Sequence, residues 1–399
     1  MKIFLEPGET KESIGKLFNI PVDLLETVSD PQIPCEELPS KKTNRIAIPG
    51  LCTLPYHVQK GDNLRKLEQD WNVPLTVITR INNLKPDEDL REGQLIWHPL
   101  RITSPIIPCK MPYHSKVLEQ DIEILKKAYP FVKVRIIGRS VLRKPIYELI
   151  IGSGKRKIHF NASFHANEWI TSAILMDLAN HYLLGLTNGL SGWDFAHAYM
   201  DNELSIVPMV NPDGVDLVLQ GPPLGCELDI VQINDGRTDF TGWKANIRGV
   251  DLNNQFPANW AIEKERKEPK SPSSRDFPGE APLTEPEAIV MAELARSREF
   301  DMVFAFHSQG EEFYWGYNNR EPEEAGKLAG MMGAMSGYRP VRTIDSHAGF
   351  KDWFIEEFQK PGFTIEVGKG INPLPLSHYD SIFQSVSSLF FSVVGLKKN

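Results

Sequence analysis

From residue 113 onward, short apolar runs alternate with longer stretches in which apolar residues recur every three or four positions. The first pattern is typical of buried strands and the second of amphipathic helices. The predicted strands are Phe131–Arg139, Pro145–Ile151, Ile158–Phe164, Leu204–Val210, Met302–Phe306 and Phe363–Val367. The predicted helices are Tyr113–Tyr129, Trp169–Gly185 and Thr284–Ser297, the last with a capping-box pattern at Thr284 and Glu287. This alternation predicts an α/β domain with a mostly parallel or mixed sheet.

The first hundred residues carry a different pattern, and this pattern occurs twice. The stretch from Ile3, IFLEPGETKESIGKLFNIPVDLLETV, aligns with the stretch from Tyr56, YHVQKGDNLRKLEQDWNVPLTVITRINNL. Each copy predicts a short strand, a glycine-containing turn, two helices and a closing strand, which together make a small βααβ unit. The matching positions are Gly8 and Gly61, Asn19 and Asn72, and Pro21 and Pro74, and the closing strands are Asn44–Pro49 and Gln94–Pro99.

The segment Arg101–Pro112, RITSPIIPCKMP, separates these two regions. It contains three prolines and shows little periodicity, which is typical of a linker. The sequence therefore predicts two small modules at residues 1–50 and 54–100, a linker at 101–112 and a larger domain at 113–399.

The composition argues against several classes of protein. Of the 399 residues, 41% are hydrophobic and 24% are charged, as in ordinary globular proteins. The net charge of −8 does not favour nucleic acid as the main partner. Because the cysteines include no CxxC pair, neither a disulfide framework nor a thiolate zinc site is predicted. The four cysteines are Cys35, Cys52, Cys109 and Cys226.

No stretch of the sequence has the pattern of a secretory signal or of a membrane span. The N-terminal residues MKIFLEPGETKESIG carry several charges and no apolar core. The most apolar long stretch, Trp169–Leu186, is interrupted by Asp177, Asn180 and His181, so we expect a buried or amphipathic helix there. The expected location of the protein is the cytoplasm.

Three of the predicted strands lead to side chains that suit a metal site. His165 follows the third predicted strand and Glu168 comes three positions later, His307 follows the fifth strand, and Glu366 lies in the sixth. Functional sites of such sheets gather at the carboxyl ends of the strands, where these side chains can converge. Two imidazoles and one carboxylate would leave a tetrahedral zinc ion one open position, as in catalytic sites.

Each of these residues also has an ordinary structural explanation. In a chain with 10 histidines an HxxE pair can arise by chance, and a histidine near a strand end is often a hydrogen-bonded structural residue. Glu366 could be a buried carboxylate with a salt-bridge partner, although burying a charge without a task is costly. A carboxylate close to an activated water is what a general base needs.

Five motifs in a fixed order favour the metal interpretation. They are HxxE at His165, NPDG at Asn211–Gly214, GVDLN at Gly249–Asn253, HS at His307 and TIEVG at Thr364–Gly368. This ordered set resembles the zinc metallocarboxypeptidase family over roughly residues 113–399.

The resemblance implies a mechanism and a set of site residues. One Zn²⁺ per chain would be held by His165, Glu168 and His307, and Glu366 would act as general base and then as general acid. Asp251 would orient a zinc-bound histidine, with His165 as the expected partner. Asn253 would bind substrate.

The chain departs from the family pattern at positions that contact substrate. Where the family's carboxypeptidases have an arginine for the terminal carboxylate, this chain has Asn254, whose amide cannot make that bidentate, charge-assisted pair. For the arginine that polarises the scissile carbonyl, the chain offers Lys244, with Arg248 as its rival. In place of an expected tyrosine stands His347, which is either a substrate-binding residue or an ordinary loop histidine. Ordinary removal of C-terminal amino acids is therefore in doubt.

The second N-terminal copy resembles the LysM module in its YHVQKGDNL opening, its NVPLTVITRINNL centre and its GQLIWHP close. The first copy is a degenerate relative, because VSDP replaces INNL at the end of its second helix. The resemblance implies binding of N-acetylglucosamine-containing glycans such as peptidoglycan. The alternative is that the two copies are packing or spacer modules without glycan affinity.

Taken together, the modules, the peptidase-like domain and the segment WKANIRGVDLNNQFP resemble the γ-D-glutamyl-diaminopimelate peptidases of spore-forming bacteria. This resemblance implies hydrolysis of the bond between γ-D-glutamate and meso-diaminopimelate in peptidoglycan stem peptides or muropeptides, in some relatives inside the sporulating cell. Two alternatives remain open, namely a carboxypeptidase with altered specificity and a non-catalytic peptidoglycan-binding protein. The loop Ile262–Pro282, with its charge run EKERKEPK, is expected to be exposed and could border the cleft.

Overall fold

The computed structural model describes residues 1–4, 8–29, 44–189, 194–226 and 228–395. They form two compact units. The first comprises 1–107, 122–132 and 180–196, and the second comprises 108–121, 133–179 and 197–399, within the described ranges.

In the first unit, the first of the two sequence copies forms a three-stranded antiparallel sheet with one α-helix. The strands are β1 (Lys2–Phe4), β2 (Glu26–Ser29) and β3 (Asn44–Ala47), and β3 lies between the other two. Helix α1 (Lys11–Phe18) begins with a capping box between Thr10 and Ser13.

The predicted second helix of this first copy is wrong. Only a single 3₁₀ turn, Val22–Leu24, forms there, and it is followed by β2. The sequence difference from the second copy explains this result. Where the second copy ends its helix with INNL, the first has VSDP, in which the β-branched Val28 favours a strand.

The second copy has the predicted βααβ arrangement. Strands β4 (Leu51–His57) and β5 (Leu95–Arg101) pair in antiparallel fashion, and helices α2 (Leu64–Trp71) and α3 (Leu75–Asn82) lie between them in sequence. Each helix ends at an asparagine in the left-handed conformation, Asn72 or Asn83, a residue type that tolerates positive φ. The apolar core of the module consists of Val58, Leu64, Leu67, Leu75, Ile78 and Ile96.

The second unit is built on an eight-stranded mixed sheet, which confirms the predicted α/β class. Its strands are β6 (Lys133–Arg139), β7 (Pro145–Gly152), β8 (Arg156–Ala162), β9 (Asn202–Val207), β10 (Met302–His307), β11 (Glu312–Tyr314), β12 (Arg339–Val341) and β13 (Gly362–Glu366). The order across the sheet is β12-β11-β13-β10-β8-β9-β7-β6. The four central strands β13, β10, β8 and β9 are parallel, so their carboxyl ends meet at one edge of the sheet.

The helices of the remaining chain connect these strands. They are α4 (Ser115–Ala128), α5 (Ile170–Asn188), α6 (Phe195–Asp201), α7 (Pro212–Gln220), α8 (Ile230–Ile233), α9 (Trp260–Arg266), α10 (Pro286–Arg298), α11 (Glu323–Ser336), α12 (Phe350–Phe358) and α13 (Tyr379–Val394). None of the helices in the described ranges combines the length and the apolar character needed to cross a membrane.

The predicted capping box of α10 is wrong. The helix begins at Pro286, and its N-cap residue Glu285 makes no capping hydrogen bond through its side chain. Thr284 instead donates its hydroxyl to Oε1 of Gln255 at 3.0 Å, and Glu287 accepts a hydrogen bond from the Val141 backbone at 3.1 Å. The proline fits the first helical position because it lacks only an N–H that would have no partner there.

Candidate active site

The carboxyl ends of β8, β10 and β13 bring the predicted chemistry together. His307 is the last residue of β10, Glu366 is the last residue of β13, and the parallel register pairs these two residues directly. Beyond the end of β8, Ser163 takes a left-handed backbone conformation (φ 52°), and its N–H donates to the Thr171 hydroxyl at 3.1 Å. This turn leads to His165 and to the 3₁₀ turn that ends at Glu168.

His165, Glu168 and His307 converge on one point with atoms of metal-ligating type. The Nδ1 atoms of the two histidines are 3.1 Å apart, and each lies close to one oxygen of the Glu168 carboxylate. These distances are 3.1 Å from His165 Nδ1 to Oε1 and 3.0 Å from His307 Nδ1 to Oε2. All three side chains are buried. Within the described part of the chain, this is the one cluster of at least three such residues that could hold a metal ion.

The spacing of these donor atoms fits zinc. With zinc–ligand bonds of about 2.0–2.1 Å, the ligand atoms of a tetrahedral site lie about 3.3 Å from one another. The three observed separations of 3.0–3.1 Å are close to this value. Two imidazole nitrogens with one carboxylate form a donor set that zinc commonly binds.

Asp251 holds His165 from the side opposite the cluster. Its Oδ1 lies 3.1 Å from His165 Nε2, so Nδ1 is the nitrogen directed at the metal site. Although burial and the charge of Lys244 lower the pKa of His165, the carboxylates of Glu168 and Asp251 raise it to about 9. This contact is the one predicted for Asp251, and such partners fix the orientation of metal-binding histidines.

Lys244 is the buried cation of the site. Its Nζ lies 2.9 Å from Asp251 Oδ2 and 3.1 Å from Asp276 Oδ1. Burial alone would lower the pKa of Lys244, but the charges of Asp251 and then Asp276 raise the pKa above its ordinary value. The ammonium group therefore keeps its charge at neutral pH.

Glu366 is a carboxyl group held in an unusual environment. Burial, and then the charge of Glu168, raise its pKa above the ordinary value for glutamate. A carboxyl group whose proton affinity is raised in this way is suited to accept and return a proton at neutral pH. Perturbed pKa values of this kind are frequent at catalytic sites.

A cavity of about 450 Å³ opens onto these residues. Four of the residues predicted from the sequence line it, namely His165, Glu168, Lys244 and Glu366. The sequence interpretation missed other residues of its wall, which include Asn167, Arg275, Tyr314, Ile371 and Asn372.

Arg248, the rival of Lys244, does not line this cavity. Its guanidinium is about half exposed and lies 3.5 Å from Glu285. Lys244 is therefore the better placed of the two candidate cations.

Asn253, Asn254 and His347 also lie outside the cavity wall. The Asn253 side chain accepts from the Phe350 backbone at 3.1 Å. The buried Asn254 amide donates to the backbone oxygen of Asn253 at 3.3 Å and to that of His347 at 3.5 Å. The His347 ring is hydrogen-bonded to the Tyr317 hydroxyl at 2.9 Å. The substrate-binding role of these three residues stays a prediction.

Two of the missed residues contact predicted ones. Asn372 donates through Nδ2 to Glu168 Oε1 at 3.3 Å and to the Ser308 backbone at 2.8 Å. Arg275 lies in the loop that the charge run EKERKEPK marks as able to border the cleft, and this loop also carries Asp276. The charge run was therefore a usable signal for Arg275, whereas Asn372 follows β13 in a segment without any comparable pattern.

Comparisons with known proteins agree with this geometry. The family model for zinc carboxypeptidases matches residues 118–370, and the model for the LysM domain matches residues 56–99. The chain therefore belongs to the zinc carboxypeptidase family, and it is a zinc metallopeptidase that carries a LysM module. The LysM match supports the binding of glycan or peptidoglycan.

The chain is also similar to individual proteins. It is 44% identical over 399 residues to gamma-D-glutamyl-L-diamino acid endopeptidase 1 of Lysinibacillus sphaericus, which covers 98% of this chain and 99% of that protein. The solved structure of thrombin activatable fibrinolysis inhibitor matches with a TM-score of 0.58 at 19% identity, over 72% of this chain and 77% of the other. The carboxypeptidase A of Helicoverpa armigera matches with a TM-score of 0.56 at 15% identity, over 98% of this chain and 96% of the other. These two structures show the shared fold.

Proposed function

We propose that this chain hydrolyses the amide bond between γ-D-glutamate and the diamino acid of peptidoglycan stem peptides. The observation that carries the proposal is the convergence of the His165, Glu168 and His307 donor atoms with Glu366 and Lys244 at one cavity. The choice of bond is supported by the name of the gamma-D-glutamyl-L-diamino acid endopeptidase that is 44% identical over almost the whole of both chains.

His165, Glu168 and His307 would hold the zinc ion, and Asp251 would keep the His165 ring in its metal-binding orientation. When bound, zinc supplies a Lewis acid that lowers the pKa of water and polarises a carbonyl group. Asn372 would restrain the Glu168 carboxylate through its hydrogen bond to Oε1. These contacts fix the donor atoms before substrate arrives.

Glu366 takes the proton of the attacking water and later delivers it to the leaving amine. Its raised pKa suits both steps, because the carboxylate binds the proton firmly enough to accept it and can still release it to an amine. The Lys244 ammonium stabilises the negative charge that develops on the carbonyl oxygen. A buried cation that is already held in place by Asp251 and Asp276 needs little reorganisation when this charge appears.

The position of residue 254 supports cleavage within the stem peptide over removal of a terminal residue. Asn254 carries no charge, is buried and does not line the cavity, so it cannot form the bidentate pair that an arginine makes with a terminal carboxylate. The LysM module at residues 56–99 would hold the enzyme on N-acetylglucosamine-containing glycan or muropeptides, close to the peptides that are cleaved.

The experiment is to incubate the purified protein with L-Ala-γ-D-Glu-meso-diaminopimelate peptides, with and without a zinc chelator, and to identify the products by mass spectrometry. We expect release of the dipeptide L-Ala-D-Glu, blocked by the chelator and restored by added zinc. Release of only a terminal D-alanine from longer stems would instead establish a carboxypeptidase. If the zinc-loaded protein cleaved none of these peptides, the proposed bond would be wrong.

A further inference from the structure

We infer that Arg275 binds a free carboxylate of the substrate next to the scissile amide and thereby selects the acidic peptides that this enzyme cleaves. The inference rests on the proposed function. Arg275 lines the same cavity as His165, Glu168, Lys244 and Glu366.

The Arg275 guanidinium is hydrogen-bonded through Nε and leaves its two terminal nitrogens available. Its Nε lies 3.0 Å from Asp276 Oδ2, while 60% of the side chain is exposed. Among the described residues, no hydrogen bond uses its two terminal Nη atoms. A guanidinium restrained through Nε still presents donors that match the two oxygens of a carboxylate.

The charges around Arg275 favour an anion. The Asp276 carboxylate is shared, because Lys244 lies 3.1 Å away, Arg275 lies 3.0 Å away and Lys267 lies 3.5 Å away. Lys244 is also paired with Asp251 and Lys267 with Glu263, whereas Asp276 is the one ion-pair partner of Arg275 among the described residues. Asp276 itself has a left-handed backbone conformation (φ 65°), which aspartate tolerates.

An unsatisfied amide lies in the wall of the same cavity. Asn167 is only 6% exposed, and its buried Oδ1 has no hydrogen-bond partner in the part of the chain that the structure describes. A buried polar atom without a partner is costly unless a ligand completes it. The Asn167 amide can therefore bind a peptide N–H or carbonyl of a substrate whose carboxylate lies on Arg275.

The chemistry of the proposed substrate provides such carboxylates on both sides of the bond. In a γ-linked glutamyl residue the α-carboxylate is free and lies three carbons from the scissile carbonyl. In a peptide that ends at the diamino acid, the α-carboxylate of that residue is free and lies one carbon from the scissile nitrogen. Because Arg275 and Lys244 share Asp276, a carboxylate on Arg275 lies near the carbonyl that Lys244 polarises.

The test uses zinc-loaded enzyme and four peptides that end at the diamino acid. In these peptides the glutamyl α-carboxyl and the diamino acid α-carboxyl next to the scissile nitrogen are each either free or amidated. We expect Arg275→Gln to lower kcat/KM by about 10- to 100-fold for peptides with the bound carboxylate free, mainly through KM. The peptide amidated at that carboxyl should change little, and Arg275→Lys should restore part of the loss. The amidated carboxyl group at which Arg275→Gln no longer lowers kcat/KM is the one that Arg275 binds. Arg237→Gln is the matched control, since that arginine is 64% exposed, is paired with an aspartate and does not line the cavity.

An equal loss for all four peptides, or no loss for any of them, would overturn the inference. Dissociation constants of the same peptides for zinc-loaded Glu366→Gln, with and without Arg275→Gln, give a second measurement that needs no turnover. If the wild-type enzyme cleaves nothing, the proposed function fails, while these constants still decide the role of Arg275. Equal constants for free and amidated peptides in that background would overturn it.

Discussion

Two buried histidines lie six residues apart in the same segment and behave in opposite ways. His159, within β8, is hydrogen-bonded to the Ser205 hydroxyl at 3.0 Å and stacks on Phe300, and burial lowers its pKa to about 3. His165, just beyond β8, faces the carboxylates of Glu168 and Asp251, and its pKa is raised to about 9. Burial therefore does not make a histidine functional. What distinguishes His165 is the set of acidic groups that other strands and loops bring to it.

The largest expected effect comes from replacing each histidine in turn. His165→Ala should remove one of the three metal donors, so we expect loss of bound zinc and a decrease in kcat of about four orders of magnitude or more. His159→Phe should retain both the zinc and the activity, because the His159 ring packs in the core and points at no other metal donor. The measurements are zinc per chain by atomic emission and the rate of peptide release. Equal zinc loss in both variants would remove the distinction between the two histidines.

Glu366→Gln tests whether the site is catalytic and not only metal-binding. We expect the variant to bind zinc as the wild type does and to lose about 10³-fold or more in kcat, since glutamine cannot accept the proton. Glu323→Gln is the matched control, because this glutamate is exposed, pairs with Lys327 and does not line the cavity. Substantial turnover by zinc-loaded Glu366→Gln would refute the assigned role.

Lys244→Met should cost about 100-fold in kcat with zinc content unchanged, because it removes the buried cation that stabilises the oxyanion. Lys244→Arg should recover part of the rate, since the charge is kept. Arg248→Met distinguishes the two candidate cations, and we expect a change of less than about threefold because this side chain faces Glu285. A larger loss in Arg248→Met than in Lys244→Met would reverse the assignment.

The sequence alone was enough to predict that His165, Glu168 and His307 lie together, and part of the reason is geometric. His307 and Glu366 end parallel strands that pair in register, so the position of each in its strand determines that they meet. The contact between His165 and Asp251 was predicted in another way, from the family resemblance that the HxxE and GVDLN motifs carry.

The substrate side of the site could not be predicted in this way. Arg275 and Tyr314 reach the cavity from a loop and from β11, and no periodic pattern encodes which of their side chains face it. Asn167 lies within the HxxE motif, but that motif marks only the two metal-binding positions. Conversely, Asn254 follows a recognised motif, but it lies outside the cavity wall, because its amide bonds to the backbone of Asn253 and His347. A motif identifies residue types in order, whereas loop packing decides which side chains face the substrate.

The smallest expected effect concerns the stability that His159 contributes. Because the folded chain holds this histidine with a pKa of about 3, below the ordinary 6.5, its contribution is fully present above about pH 6.5 and is lost as the pH falls towards 3. At pH 5 the difference amounts to about 2 kcal/mol of the free energy of unfolding.

Urea denaturation of the metal-free protein at pH 8 and pH 5 measures this difference, with His159→Phe as the control that lacks the titrating group. The wild type should lose about 2 kcal/mol more than the variant over this range, since every other titrating group is common to both. An equal loss in the two proteins would mean that His159 accepts a proton in the folded chain as readily as in the unfolded one. Burial beside Phe300 would then not lower its pKa, and the contrast with His165 would be lost.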